Sequence, residues 1–385
     1  METYCTSIIP VKIPNSKLTK EIISVCKNQH LISDYNNYSG KIHLKAIPDI
    51  NTTPFDFYYI PSSKTDIQCA FSESTLTIIL TWKNTYSDYY SLVNQSLMER
   101  KRLVERILDF NPKDESLLPI MRLLESYKNK GLGVNYAFTF YSICDENFTE
   151  EAEQHLKVLA EPSLVNMDDM LSSKDNTFIY NPTTSINEEA LETIRDVDLY
   201  SEQKTFITWA SIVSMSKNKD VFVKNHITLT LMELLVQRIW NLCYSQNISL
   251  NDCITNINKR SKDINRVVID TYRILIESKN CISATYSSRL SGIYSAIVES
   301  SHLPKHIEDL EQKLNYLIMF TNSINQSKNR KLQQGSEILL FLIAIAQVVP
   351  LFFDLPIVTH SIISIGTVVI ICILGVLLIR SRYRN

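Results

Sequence analysis

Apolar residues gather at the end of this 385-residue chain more densely than anywhere before it. Two runs stand out, Ile338–Phe353 and Ile357–Ile379, with only Asp354, Leu355 and Pro356 between them. At a helical rise of about 1.5 Å per residue they cover roughly 24 and 35 Å, against a hydrocarbon core of about 30 Å. The pattern predicts a C-terminal two-helix transmembrane hairpin over 336–380 and a basic tail over 381–385. Lys328, Arg330 and Lys331 precede the first run, Arg380, Arg382 and Arg384 follow the second, and the linker carries neither Lys nor Arg. The positive-inside bias then predicts a multi-pass protein of the cell inner (plasma) membrane with both termini cytoplasmic. The N-terminal METYCTSIIPVKIP has no apolar core behind a positive flank, so no signal peptide is expected.

Upstream, the pattern alternates between the two periodicities. Extended segments are expected at Ile42–Ile47, Phe55–Ile60, Thr75–Trp82, Asn135–Ile143 and Asn176–Tyr180, where β-branched and aromatic residues crowd between Pro, Asn and Ser. Asn135–Ile143 is the most strand-like. Helical spacing marks Tyr89–Phe110, through Leu92, Leu103 and Ile107, and Glu115–Lys128, through Leu117, Met121 and Leu124. Residues 1–182 thus read as a cytoplasmic α/β domain. Beyond it, Ser185 and Glu188 form a capping-box pattern, and helices are expected over about 186–216, 224–245 and 263–300. Pro304 suits the first turn of another helix. Residues 183–335 read as a helical bundle and stalk.

From Leu303 the apolar residues keep a heptad rhythm: Leu303, Ile307, Leu310, Leu314 and Leu317, then Thr321 as a gap, then Ile324. Such a seam packs either within the chain or between subunits. No proline or glycine interrupts Lys305–Gln334, so a single rod is expected to run on into the first apolar run. Along that rod Asn329, Gln333, Ser336, Leu340, Ile343 and Gln347 recur at spacings of 4, 3, 4, 3 and 4. Around an oligomer axis this stripe would present polar rings, two apolar rings and a further polar ring, a pore lining with a dewetting gate. Gln347 alternatively serves as an interhelical hydrogen-bonding group. Glu337 reads as an interfacial residue or a cation-attracting ring, and Asp354 as a loop residue or a carboxylate ring at the pore entrance.

Composition narrows the chemistry. A net charge of −2 offers no bulk for direct nucleic-acid binding. Seven glycines, none in a GxGxxG or GxxxxGK[ST] arrangement, leave no visible phosphate cradle. The eight cysteines lack metal-type spacing and read as free thiols. Lys259, Arg260, Lys262 and Arg266 form a basic cluster that would suit a phosphate-bearing ligand or a solvated helix end. Asp168 and Asp169 offer either a regulatory cation site or an exposed loop. No Ser/His/Asp or Cys/His arrangement suggests catalysis, so no enzyme is expected. A divalent cation and a small nucleotide remain the ligands to consider; no cofactor is indicated.

An α/β domain, packed helices, one uninterrupted stalk and a short hairpin with a basic tail together resemble the CorA-type divalent-cation transporters, most closely over about 305–385. The resemblance implies a homopentamer, with the first apolar run of each subunit lining the pore. It departs at the family's Gly-Met-Asn signature, since this chain reads Val349-Pro350-Leu351-Phe352-Phe353-Asp354-Leu355-Pro356 there. Divergent proteins of this kind resemble membrane effectors of antiviral systems, including type III CRISPR, opened by a nucleotide messenger. The expectation is therefore a ligand-gated oligomeric channel. A divalent-cation (Mg, Zn or Co) transporter with an altered filter and a membrane-anchored interaction protein are the alternatives.

Overall fold

The structure, a computed structural model, describes residues 1–13, 16–34, 55–61, 66–72, 75–108, 115–134, 137–161, 188–197, 203–257, 263–282, 288–352 and Gly366. It divides into two compact units, Met1–Leu314 and Asn315–Asn385.

The first unit is built on one mixed sheet. Its strands are β1 (Glu2–Lys12), β2 (Ser33–Asp34), β3 (Asp56–Tyr59), β4 (Asp66–Phe71), β5 (Thr75–Thr85), β6 (Gly133–Val134), β7 (Phe138–Cys144), β8 (Arg195–Asp196), β9 (Gln203–Ile207) and β10 (Ser211–Ser216). They lie in the order β2-β3-β4-β5-β1-β7-β10-β9-β8, with β6 also paired to β1. The pairing of β10 with β7 is parallel and the others are antiparallel. β1 is central, pairing along its whole length with β5 and from Glu2 to Ile8 with β7. Pro10 lies opposite Thr77 of β5.

Helices cover both faces. On one side lie α1 (Ser16–Asn28), α2 (Tyr89–Leu108), α3 (Leu118–Ser126) and α4 (Glu151–Ala160). Ile9, Val11, Ile78 and Leu80 pack there with Leu18 and Ile22 of α1 and Ile120, Met121 and Leu124 of α3. Cys5, Tyr141 and Val213 pack with Leu92 and Val93 of α2 and Leu156 and Leu159 of α4. These residues point one way because side chains alternate along a strand. The opposite set, Tyr4, Thr6 and Phe140, meets the long helix α6 (Lys219–Thr255), which follows the short α5 (Glu188–Leu191). Next come α7 (Ile264–Ile282), α8 (Ser288–Ser300) and α9 (Leu303–Phe352).

Several expectations hold: β3, α2 and α3 fall within the predicted segments, β5 and β7 overlap theirs and run on to Thr85 and Cys144, and α6 covers the helix expected over 224–245, while α7 and α8 are two helices where one was expected over 263–300. Pro304 stands in the first turn of α9, after His302 at φ 53°. The segments Ile42–Ile47 and Asn176–Tyr180 lie outside the described residues. The helix expected over 186–216 is not found. Among the described residues only α5 is helical there, and β8, β9 and β10 lie in the same stretch, so the sheet extends well past residue 182.

The larger correction concerns the C-terminus. Among the described residues no helix is long and apolar enough to cross a membrane. That overturns the transmembrane hairpin, and with it the inner-membrane location and the ion-channel reading. The first apolar run is the end of α9, a 50-residue helix whose earlier part is polar and charged. Its apolar stretch within the helix, Ile338–Phe352, covers only about 22 Å, short of a hydrocarbon core of about 30 Å. Apart from Gly366, the second run, Ile357–Ile379, lies outside the described residues, as do Asp354 and the basic tail.

Candidate functional site

Two features carry unusual chemistry: a polar row buried beneath α6 and the exposed surface of α9. The first begins on the sheet. Thr6 and Thr81 face each other in the β1–β5 register, and their hydroxyls lie 2.9 Å apart. Thr6 Oγ1 also lies 2.7 Å from His226 Nε2 of α6. The His226 ring stacks on Phe140 at 4.6 Å and packs at a tilt against Tyr4. Burial pushes its pKa down to about 3, and Nδ1 is buried without a partner. Two turns further along α6, Glu233 is buried as well, and burial pushes its carboxyl up to about 8. Gln237 Nε2 donates to Glu233 and partly offsets that shift. Both groups are sealed from solvent, so neither can meet a substrate; their chemistry acts on the fold.

The second feature lies on α9. Its heptad seam is occupied at the start, where Leu303, Ile307, Leu310, Leu314 and Leu317 are all buried. Near its N-terminus His306 meets the Trp240 ring edge-on at 5.1 Å, and Glu311 pairs with Lys279. The same frame of fours and threes passes through Thr321 and Ile324, is broken by Lys328, Lys331 and Gly335, and resumes at Ile338, Leu342 and Ile345. There the seam is open. Ile338 is 62 % exposed, Leu342 48 % and Ile345 42 %. Leu340 and Phe341, on other sides of the helix, are as exposed as Ile338. A helix that is apolar on every side is normally covered, and these turns are bare.

The residues singled out from sequence fall as follows. Asn329, Gln333, Ser336, Leu340, Ile343 and Gln347 all belong to α9. The first four are exposed and Ile343 is half-buried. Gln333 Nε2 donates to Glu337 Oε1 at 3.1 Å, and Ser336 Oγ donates to the Gln333 carbonyl at 2.8 Å. Two polar members of the stripe thus engage their own helix. Lys259, Arg260, Lys262, Asp168 and Asp169 lie outside the described residues. Arg266 is on α7, exposed, with its guanidinium 3.8 Å from Asp270. The described cysteines are not in disulfides, and all but the half-buried Cys281 are buried. Among the described residues no group of His, Cys, Asp and Glu could hold a metal ion.

His226, Glu233 and the resumed seam escaped the sequence reading. A signal existed for each: Glu233 stands seven positions after His226, and the spacing of fours and threes counted from Leu303 reaches Ile338 across the polar positions Lys328 and Lys331 and Gly335.

Comparison with protein-family models, with curated proteins and with solved structures gives no match.

Proposed function

We propose that this chain is a self-assembling interaction protein, whose α/β head carries a helix that packs against copies of itself. The observation behind the reading is the reopening of the α9 seam at Ile338, Leu342 and Ile345. Fully burying a large aliphatic side chain is worth about 1.5–3 kcal/mol, and these three, 42–62 % exposed, forgo part of that. The 4-3 spacing is the one that seats apolar residues into the holes of a facing helix. Copies of the same helix supply that spacing by construction. The uncharged Asn, Gln and Ser residues of 322–336 add groups that both donate and accept hydrogen bonds between helices. Assembly and binding, rather than turnover, are the activity assigned here.

Sedimentation velocity and light scattering on the full chain test the reading. The wild-type chain is expected to be oligomeric. The double variant Ile338→Glu/Leu342→Glu should shift to lower mass while the head unfolds at the wild-type temperature. A monomeric wild-type chain, or a double variant with unchanged mass, would overturn it.

A further inference from the structure

We infer that the sheet holds an internal water between Ser7 of β1 and Thr139 of β7, where the two apolar cores on its α1–α4 side part. Ser7 and Thr139 face each other in the β1–β7 register, and both are 0 % exposed. Among the described residues neither Ser7 Oγ nor Thr139 Oγ1 has a hydrogen-bond partner, so the two do not bond to each other either. A buried hydroxyl without a partner is disfavoured, and ordered water is the usual partner where the chain supplies none.

The neighbours show why the chain supplies none here. In one direction the same lateral row continues through Leu80 of β5 and Ile67 of β4, both apolar. In the other it reaches Ser211 of β10, which lies opposite Thr139. The Ser211 hydroxyl donates to the Ala160 carbonyl at the end of α4, and Thr208 Oγ1 donates to the same carbonyl at 3.3 Å. That carbonyl serves the far end of the row and leaves Ser7 and Thr139 unanswered. Along β1 the next residues on this face are Cys5, in one apolar core, and Ile9, in the other. On the opposite face Thr6 and Thr81 are also cross-strand neighbours, yet their hydroxyls meet directly at 2.9 Å. Adjacency across a ladder therefore does not by itself orphan a hydroxyl.

The geometry fits a single small molecule. Side chains that face each other across a ladder have Cβ atoms about 4.5–5.5 Å apart, and two hydrogen bonds of about 2.8 Å through one oxygen bridge hydroxyls at that spacing. Both hydroxyls are neutral, and each can donate and accept. The occupant must therefore do both and carry no charge, which water does at the smallest size. It acts as a structural ligand between the two cores, and does not depend on the α9 seam.

Two measurements on the full chain test it. Magnetic relaxation dispersion of the water oxygen counts long-lived internal waters, and Ser7→Ala/Thr139→Val should hold one fewer than the wild type. In denaturant unfolding, Thr139→Val alone should lower the folding equilibrium constant about tenfold, because Ser7 and the water lose a partner. The double variant should lose no more than Thr139→Val alone, since the site is then apolar on both sides. A pair with nothing between its hydroxyls gives the opposite sign: each substitution removes an orphaned oxygen and raises the constant. An unchanged water count in the double variant, or stabilisation by Thr139→Val, overturns the inference.

Discussion

His226 and Glu233 stand two turns apart on one stripe of α6, both buried, and both held uncharged near neutral pH. Among the described residues neither has an opposite charge to answer it. The interface between α6 and the sheet therefore tolerates these groups only in their neutral forms, one as a free base and the other as an acid.

Stability should accordingly peak in mildly acidic solution. His226 falls from an ordinary 6.5 to about 3 on folding. Its share of stability is complete above about pH 6.5 and is lost as pH falls toward 3. Glu233 rises from an ordinary 4.5 to about 8. Its share is complete below about pH 4.5 and is lost as pH rises toward 8. Between about 4.5 and 6.5 the two slopes oppose each other. Outside that window each limb should fall by about 1.4 kcal/mol per pH unit for its single proton. Denaturant titrations from pH 3 to 9 measure this directly. Glu233→Gln should flatten the limb between about 6.5 and 8 and leave the His226 slope unopposed, so that the acid limb reaches up to about pH 6.5. An unchanged alkaline limb in that variant rules out Glu233 as its source.

Thr6 should matter beyond its size, because its hydroxyl serves both Thr81 and His226. Thr6→Val keeps the volume and removes the oxygen, leaving His226 Nε2 buried without its partner. The expected cost is about 1–3 kcal/mol. Thr81→Val leaves the His226 contact standing and should cost less. Chemical denaturation of both variants gives the comparison, and equal losses would contradict it.

How much of this could be read from the chain depended on burial. β5, β7, α2 and α3 were legible because their composition and spacing match one periodicity. β1 was not, since Thr3 to Val11 are buried throughout, so polar–apolar alternation is absent and Pro10 interrupts the run. β9 and β10 were read as helix because Phe206, Ile207, Ile212, Val213 and Met215 form short apolar runs, which periodicity alone does not assign. The rod and the first half of its seam were evident from Leu303 to Leu317. Its reopening at Ile338 was hidden by Lys328, Lys331 and Gly335, and the mean hydropathy of the following turns suggested lipid instead. His226 and Glu233 were passed over because a helix pattern marks polar residues as exposed, and only the sheet beneath α6 reverses that.

The two halves of α9 should respond in opposite ways to the same substitution. Leu310 is fully buried, so Leu310→Ala should remove about 2–5 kcal/mol through lost transfer energy and the cavity left behind. Leu340 is mostly exposed, so Leu340→Ala should change the head's unfolding free energy by less than about 0.5 kcal/mol. Thermal and denaturant unfolding of the two variants checks this. A large loss for Leu340→Ala would mean that its surroundings within the chain are not those described.

Arg238 of α6 gives the sharpest asymmetry. Its side chain is buried, its Nη1 donates to Glu277 of α7, and its Nε has no partner. Glu277 is about one-third exposed, so water already answers part of its charge. Removing the carboxylate strands a guanidinium in the helical interface, whereas removing the guanidinium leaves a carboxylate that can still be hydrated. Glu277→Leu should therefore cost more than Arg238→Met, by about 1–3 kcal/mol after allowance for that exposure. The double variant Arg238→Met/Glu277→Leu should recover most of the loss, because an apolar pair of similar volume needs no partner. A double-mutant cycle followed by denaturant unfolding tests it. Simple additivity of the two losses would show that the pair is not coupled across the α6–α7 interface.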